Sequence, residues 1–302
     1  MADVLSKTTL FDPQLVKELI KKVKGKSSLA VLSAQTPIPF NGSKEFIFTM
    51  DSEIDIVAEN GKYSHGGVKV QPISIVPIKV EYGARVSDEF ITAAEEEQIE
   101  TLKAFSEGFA SKMASGLDIA AIHGVNPRTG EKSNVIGDNN FDSKVTQTVT
   151  YDATTPDKNI EAAISLVEGS EGDVSGLAIA PAVRSDLAAM TKQSGEKLYP
   201  EFAFGGKPAN LGANKLDINK TVSFGNSVDR AIVGDFATMF KWGYSKDVTM
   251  EVIPYGDPDN TGIDLKGSGQ VYIRAKAYLG WGIFDGDSFA RIIDGDDGEE
   301  TE

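Results

Sequence analysis

Apolar residues recur at helical spacing in two runs of this chain, and the stretch between those runs alternates at strand spacing instead. Near the N-terminus Leu15, Val16, Leu19, Ile20 and Val23 form one apolar face. Asp12 suits the N-cap, Pro13 the first helical position, and Gly25 can end the run, so the spacing predicts a helix there. The second run is far longer, with Phe90, Ile91, Ile99, Leu102, Phe105, Phe109, Met113, Leu117 and Ala120 in helical period to Ile122. Ser87 suits its N-cap, and Asp88 and Glu89 in the first turn favour the helix dipole. At 1.5 Å per residue this helix is about 50 Å long. Gly108 and Gly116 weaken it slightly or let another element approach. Gly124, Asn126-Pro127 and Gly130 then close it in a loop.

Residues 46–82 read as a long two-stranded excursion. Ile54, Ile56 and Ala58 alternate on the way out. Val68, Val70, Ile73 and Ile75, then Ile78, Val80 and Tyr82, return with one break in phase. Asn60-Gly61 and Gly66-Gly67 bracket the turn. Pro72 and Pro77 cannot donate to a ladder, which puts the returning strand at an edge. A ribbon this long is marginal in isolation. Its apolar residues need another surface, and none is evident within one chain.

From residue 145 onward short strands and helices mix, which makes the fold class α+β. The pattern predicts a strand over 145–151, a helix over 157–168, a buried strand over 177–180 and a short helix over 182–192. Residues 194–220, rich in Gly, Asn, Pro and Lys, read as a long surface loop. Strand-like runs follow at 230–233, 248–253 and 271–284. Residues 294–302 are an acidic run with no reason to fold.

Charge narrows the function. The 45 acidic residues against 30 basic give a formal charge of -15. Such a field repels phosphate, so a broad grip on DNA or RNA is excluded, although it suits the inner wall of a nucleic-acid container. The first helix is the exception, with Lys17, Lys21, Lys22, Lys24 and Lys26. Each lysine alone reads as solvated, whereas the cluster suits an arm docking on an acidic neighbour. The chain of 302 residues is 40% apolar and 25% charged, within the soluble globular range, and long enough for one large or two ordinary domains. No stretch approaches the roughly eighteen apolar residues of a membrane span, and the first ten residues have no secretory pattern. Residence inside a cell, at least initially, is expected. Cysteine is absent, which excludes disulfides, thiolate chemistry and Cys-based zinc sites.

Candidate catalytic chemistry is sparse. Gly25-Lys26-Ser27 ends like a phosphate-binding loop, but Ile20 stands where the first glycine belongs and a helix precedes it. No nucleophile elbow and no dinucleotide fingerprint is present. The two histidines, His65 in the ribbon turn and His123 at a helix end, lack metal-ligand spacing and read as solvated or capping. Asp257, Asp259, Thr261 and Gly262 imitate the start of a calcium loop. Leu265 at the ninth position and Ser268 at the twelfth offer the wrong ligands, so an acidic turn is the better reading. Glu95 to Glu97 read as a solvated helix face. The sequence therefore nominates no catalytic, cofactor-binding or metal-ligating residue, and no cofactor.

Taken in order, these elements resemble the major capsid proteins of tailed bacteriophages, the Hong Kong 97-type shell fold. The ribbon strand running into Val86-Ser87-Asp88-Glu89-Phe90-Ile91 is similar to that family's approach to its spine helix. Leu117-Asp118-Ile119-Ala120-Ala121-Ile122-His123-Gly124, then Pro127 and Gly130, resembles the helix exit. Val233-Gly234-Asp235-Phe236 resembles a recurring strand and turn. Val271-Tyr272-Ile273-Arg274-Ala275 through Asp287-Ser288-Phe289-Ala290 resembles the C-terminal strands.

The resemblance implies an N-terminal arm over 1–30, an extended loop over 46–80 and an axial domain over 146–245. It implies a peripheral domain from 31–45, 81–145 and 246–293, with 294–302 as a disordered tail. It further implies self-assembly into pentamers and hexamers of an icosahedral shell around double-stranded DNA, without sequence-specific binding and without a membrane. Separate scaffolding and portal proteins, with a decoration protein as an optional addition, belong to the same picture, as does a virion capsid assembled in the host cytoplasm. The assembly candidates are Leu15, Leu19 and Ile20 on the arm and Asn60, Gly61 and Lys62 at the loop tip. Some relatives crosslink an extended-loop lysine to an asparagine with help from a glutamate. Lys62 has no matching partners in this sequence and reads as a solvated turn lysine. An encapsulin-type compartment is the alternative on the same fold, told apart by enzyme cargo in place of DNA. An α+β hydrolase or transferase would require a pocket with convergent polar groups. The long helix argues against a tail or adhesin subunit.

Overall fold

The computed structural model describes residues 27–50, 52–62, 65–89 and 95–295, and side chains within these except at 49, 95–101 and 246–248. The helix expected around 12–25, with Leu15, Leu19 and Ile20, lies outside the described residues.

The central strand of the first sheet is β10 (Gln270–Ile283), where Val271, Ile273, Ala275, Ala277, Leu279, Trp281 and Ile283 are buried at every second position. That alternation gives one face to the core, as a strand's period of two requires. Antiparallel neighbours flank it: β3 (Ile78–Ser87) and β9 (Phe240–Ile253). β9 starts well before the 248–253 run because Phe240, Trp242 and Tyr244 alternate into the core. Residues 36–38 lie along this strand, with the N–H of Thr36 and Ile38 donating to Trp242 and Tyr244. Only glycine at 243 permits that approach, since a Cβ would sit 1.7 Å from the Thr36 carbonyl oxygen.

The long helix, α2 (Glu95–His123), packs Phe109, Met113, Leu117 and Ala121 into the same core as β10. Its 29 residues span about 44 Å. The strand β3 runs through Ser87, the expected cap, and Ser87 Oγ accepts the Glu89 N–H at 3.3 Å. Ahead of α2 in sequence lies α1 (Ser28–Leu32), whose Leu29, Ala30 and Leu32 are core residues. Ser27 to Leu32 are thus anchored in the body of the subunit apart from the side chain of Val31.

The second sheet is mixed, in the order β4 (Thr148–Thr150), β11 (Phe289–Ile293), β8 (Asp229–Gly234), β5 (Gly176–Ile179), β7 (Asn214–Ile218), β6 (Asn210–Leu211). Its two faces feed two cores. Ala178 and Ile232 join the spine-helix core, together with Phe141 of the short helix α3 (Phe141–Lys144). Leu177, Ile179, Ala231, Val233, Ala290 and Ile292 pack instead with Ile160, Ala163 and Val167 of α4 (Pro156–Gly169) and Val183 and Leu187 of α5 (Pro181–Ala189).

One expectation changes here. Residues 194–220 are not one loop: β7 pairs in parallel with β5 and buries Leu216 and Ile218, an alternation too short to stand out among Lys, Asn and Asp. β11 pairs with β8 and β4, so residues 289–293 lie in the second sheet beside residues 229–234 and 148–150. Asp294 is tied to the same sheet. The Asp294 N–H donates to the Val228 carbonyl at 2.8 Å, and its carboxylate takes both Nε and Nη2 of Arg230.

The ribbon consists of β1 (Ser43–Met50) and β2 (Val68–Ile75), paired antiparallel from Ser43↔Ile75 to Met50↔Val68. The break in phase falls at Val76-Pro77, where the chain leaves the ribbon and enters the β3–β10 ladder.

Candidate functional site: assembly surfaces

In an antiparallel ladder, directly opposed residues share a face. The ribbon register opposes Phe46 to Pro72, Phe48 to Val70, and Met50 to Val68. These six apolar residues therefore line one face, and every one is exposed; Phe46, Phe48 and Met50 are 66%, 63% and 72% accessible. The opposite face is different, because Ile75 is buried against Gly280 and Gly282 of β10. One side of the ribbon is thus seated on its own subunit near the root, and the other offers an apolar strip to solvent. Strips of this size on a subunit surface mark interaction sites.

At the ribbon tip Ile54 and Ile56 are almost fully exposed, at 91% and 94%. Asn60 adopts a left-handed φ of 67°, and the Gly61 N–H closes the turn on the Ala58 carbonyl at 2.8 Å. Lys62 follows in the open. The tip candidates Asn60, Gly61 and Lys62 thus lie together.

Two buried polar knots escaped the sequence reading. Asp118, fully buried on α2, accepts hydrogen bonds from Ser27 Oγ, the Ser28 N–H at 2.8 Å, the Leu29 N–H at 3.2 Å and Thr221 Oγ1 at 2.7 Å. It caps α1 and binds it to the spine helix. Burial pushes its carboxyl up to about 6, against the opposing pull of those donors. The available signal was an aspartate inside the apolar run Leu117 to Ile122.

His123 is buried, not solvated. Its Nε2 donates to the Thr221 carbonyl at 3.0 Å and Nδ1 lies 3.2 Å from Asp142. Arg291 bridges Asp142 and Asp229 at 3.0 and 2.9 Å. Burial is the largest single influence and opposes the charged imidazole, yet the hydrogen bond and charge of Asp142, the Thr221 carbonyl and the Asp229 charge together outweigh it and the pKa is raised. Burial pushes the Asp229 carboxyl up to about 6, while Asp142, held by His123 and Arg291, falls below its usual range. His123, Asp142 and Asp229 are close enough to hold a metal ion, but Arg291 already supplies the cation, so the group works as a neutralised ion-pair knot. It ties α2, α3, β8 and β11 together.

The acidic turn after β9 closes on Arg85, whose guanidinium meets Asp257 and Asp259. An open groove of about 490 Å³ runs between α4 and the β6–β7 turn, lined by Ile160, Ile164, Tyr199 and Leu211 with Asp157 and Glu161 at its polar side. The carboxyls raised by burial, Asp118 and Asp229, are not in it. Among the described residues no helix is long and apolar enough to cross a membrane.

An exposed apolar ribbon face, a long helix and buried knots that fix that helix to the second sheet define a subunit that works through its surfaces. The chain belongs to the phage capsid family, whose pattern it matches over residues 8–293. It is a capsid protein of a phage shell, a structural component of the virion. A solved chain from Mycobacterium phage Ogopogo shares 29% identity, with 89% of this chain and 92% of that one covered and a TM-score of 0.76. One from Gordonia phage Cozz shares 22%, covering 89% and 87%, with a TM-score of 0.75. The capsid of an empty GTA particle, computed with C5 symmetry, has the same fold at 15% identity, covering 89% and 90%, with a TM-score of 0.65. Among curated proteins, no sequence matches this chain.

Proposed function

We propose that this chain is the major head protein of a tailed phage, and that its copies gather as pentamers and hexamers of an icosahedral shell around double-stranded DNA. The observation that carries the reading is the exposed face of Phe46, Phe48 and Met50 with Val68, Val70 and Pro72. A neighbouring copy is the partner that a self-assembling subunit always has at hand, and a ring of such contacts closes when the rotation between subunits allows it. Residues before Ser27 serve as the arm, 46–80 as the extended loop, and the two sheets as peripheral and axial regions. Scaffolding and portal proteins act as separate partners, and assembly takes place in the host cytoplasm. The net charge of -15 fits a wall that encloses DNA without binding its sequence. Negative-stain microscopy of the purified protein tests this: closed shells are expected, and uniform small particles would count against it. Shells carrying an enzyme cargo in place of DNA would turn the reading toward a cellular compartment.

A further inference from the structure

The turn between β9 and β10 is wrapped around a cation that belongs to the protein itself. Arg85, on β3, places Nη2 2.8 Å from Asp257 Oδ1, 2.5 Å from Asp259 Oδ1, 2.5 Å from Thr261 Oγ1 and 3.0 Å from the Ile263 carbonyl oxygen. Counted from Asp257, these are positions one, three, five and seven. Calcium loops of the helix–loop–helix type draw three side-chain ligands and one backbone carbonyl from those same positions, with glycine at the sixth for the sharp turn. Here Gly262 is sixth, with a φ of 81°, and the N–H groups of Thr261 and Gly262 donate to Asp257 at 3.0 and 2.6 Å. The rest of the guanidinium is engaged as well, Nε with Asp259 Oδ2 at 2.8 Å and Nη1 with Gln270 Oε1 at 3.3 Å.

A terminal guanidinium nitrogen carries two hydrogens, yet four oxygens converge on this one. That is the arrangement of groups gathered about a charge, beyond pairwise donation. Arg85 holds the Asp259 carboxyl well below the usual carboxylate range, at about 2. The ninth and twelfth positions, Leu265 and Ser268, supply nothing in a metal's place, and with a built-in cation nothing further is required.

We propose that Arg85 is an internal substitute for a divalent cation: its guanidinium nitrogen stands where a calcium loop would hold its metal, and it fixes residues 257–263 on β3 without any ion. Tyr255 and Ile263 are exposed on this turn, so its conformation sets the surface at that end of the sheet.

The test uses the full-length protein and its Arg85→Gln variant, with proteolysis within 254–268 as the readout. Calcium is supplied at about 1 mM, where weak calcium loops load, or removed with a chelator. The wild-type turn should be cleaved at the same rate in both conditions. The variant's turn should be cleaved several-fold faster, and calcium should slow that cleavage. Three results would overturn the proposal: a wild-type turn that loosens with chelator, a variant turn as resistant as wild type, or a loosened variant indifferent to calcium. Should Arg85→Gln fail to fold, Asp259→Asn takes its place. It removes the single negative charge of the carboxylate and one of its two oxygens while leaving Arg85, and must loosen the turn without a response to calcium; an unchanged turn or a calcium response would refute the idea.

Discussion

Thr221 Oγ1 donates to Asp118 Oδ2 across 2.7 Å, joining the spine helix to the 3-10 turn Lys220–Ser223, while the Thr221 carbonyl accepts from His123 one helical turn further on. One threonine thus links both buried knots, and through them α1, α2 and α3 to the second sheet. The titration of these knots gives the subunit a signed pH dependence.

Asp118 and Asp229 are raised by burial to about 6 from 3.8. A carboxyl whose folded pKa exceeds its unfolded one contributes stability that is complete below about 4 and is lost as pH rises through about 6. For Asp118 the displacement corresponds to about 3 kcal/mol at full expression. His123, also raised, acts in the same direction, whereas Asp142, lowered, loses its contribution only in stronger acid. The urea midpoint of the unassembled subunit should therefore be higher at pH 5 than at pH 7, and Asp118→Asn should shrink that difference. A midpoint that falls steadily between pH 7 and pH 5 would contradict the assignment.

The arm should dock through its apolar face, with its lysines steering it onto acidic surface. Burying Leu19 or Ile20 at a contact contributes roughly 1.5–3 kcal/mol each, whereas an exposed ion pair is worth about 0–1 kcal/mol. Leu19→Asp should cripple shell yield, measured by sedimentation, far more than Lys21→Ala. Equal losses from the two changes would favour electrostatics over packing.

Much of the fold was legible because its signals are local. The core run of α2, from Leu102 to Ile122, and the odd positions of β10 repeat with fixed period, and the break in phase at Val76-Pro77 marks the passage from ribbon to sheet. The knots were not legible, since Asp118 meets Thr221 across 103 residues and Arg85 meets Asp257 across 172. Such pairings exist only through the topology that brings β3 beside β10 and α2 beside the turn after β7. The motif at Asp257 was visible, but its cation was not. The ribbon's apolar face was half visible: Val68 and Val70 stood out, while Phe46, Phe48 and Met50 joined them only once the register was known.

Shell closure should rest on non-covalent burial repeated over many neighbours, an effect that multivalency amplifies. Cysteine is absent, and Lys62 sits exposed at the tip. Boiling mature particles in SDS should release one band near 32.3 kDa. A ladder of covalent multimers that disappears with Lys62→Ala would instead make Lys62 an isopeptide donor.

The central claim is that the exposed strip of the ribbon holds neighbouring subunits together. Phe46→Ser combined with Phe48→Ser removes two rings from that face, and both side chains are already solvent-exposed in the single subunit. The lone subunit should therefore keep its circular dichroism, since exposed positions contribute little to its own stability. Electron microscopy of the double variant, beside wild type purified in the same way, is the direct measurement. Folded subunits without shells are the predicted result, and closed shells at wild-type yield would contradict it.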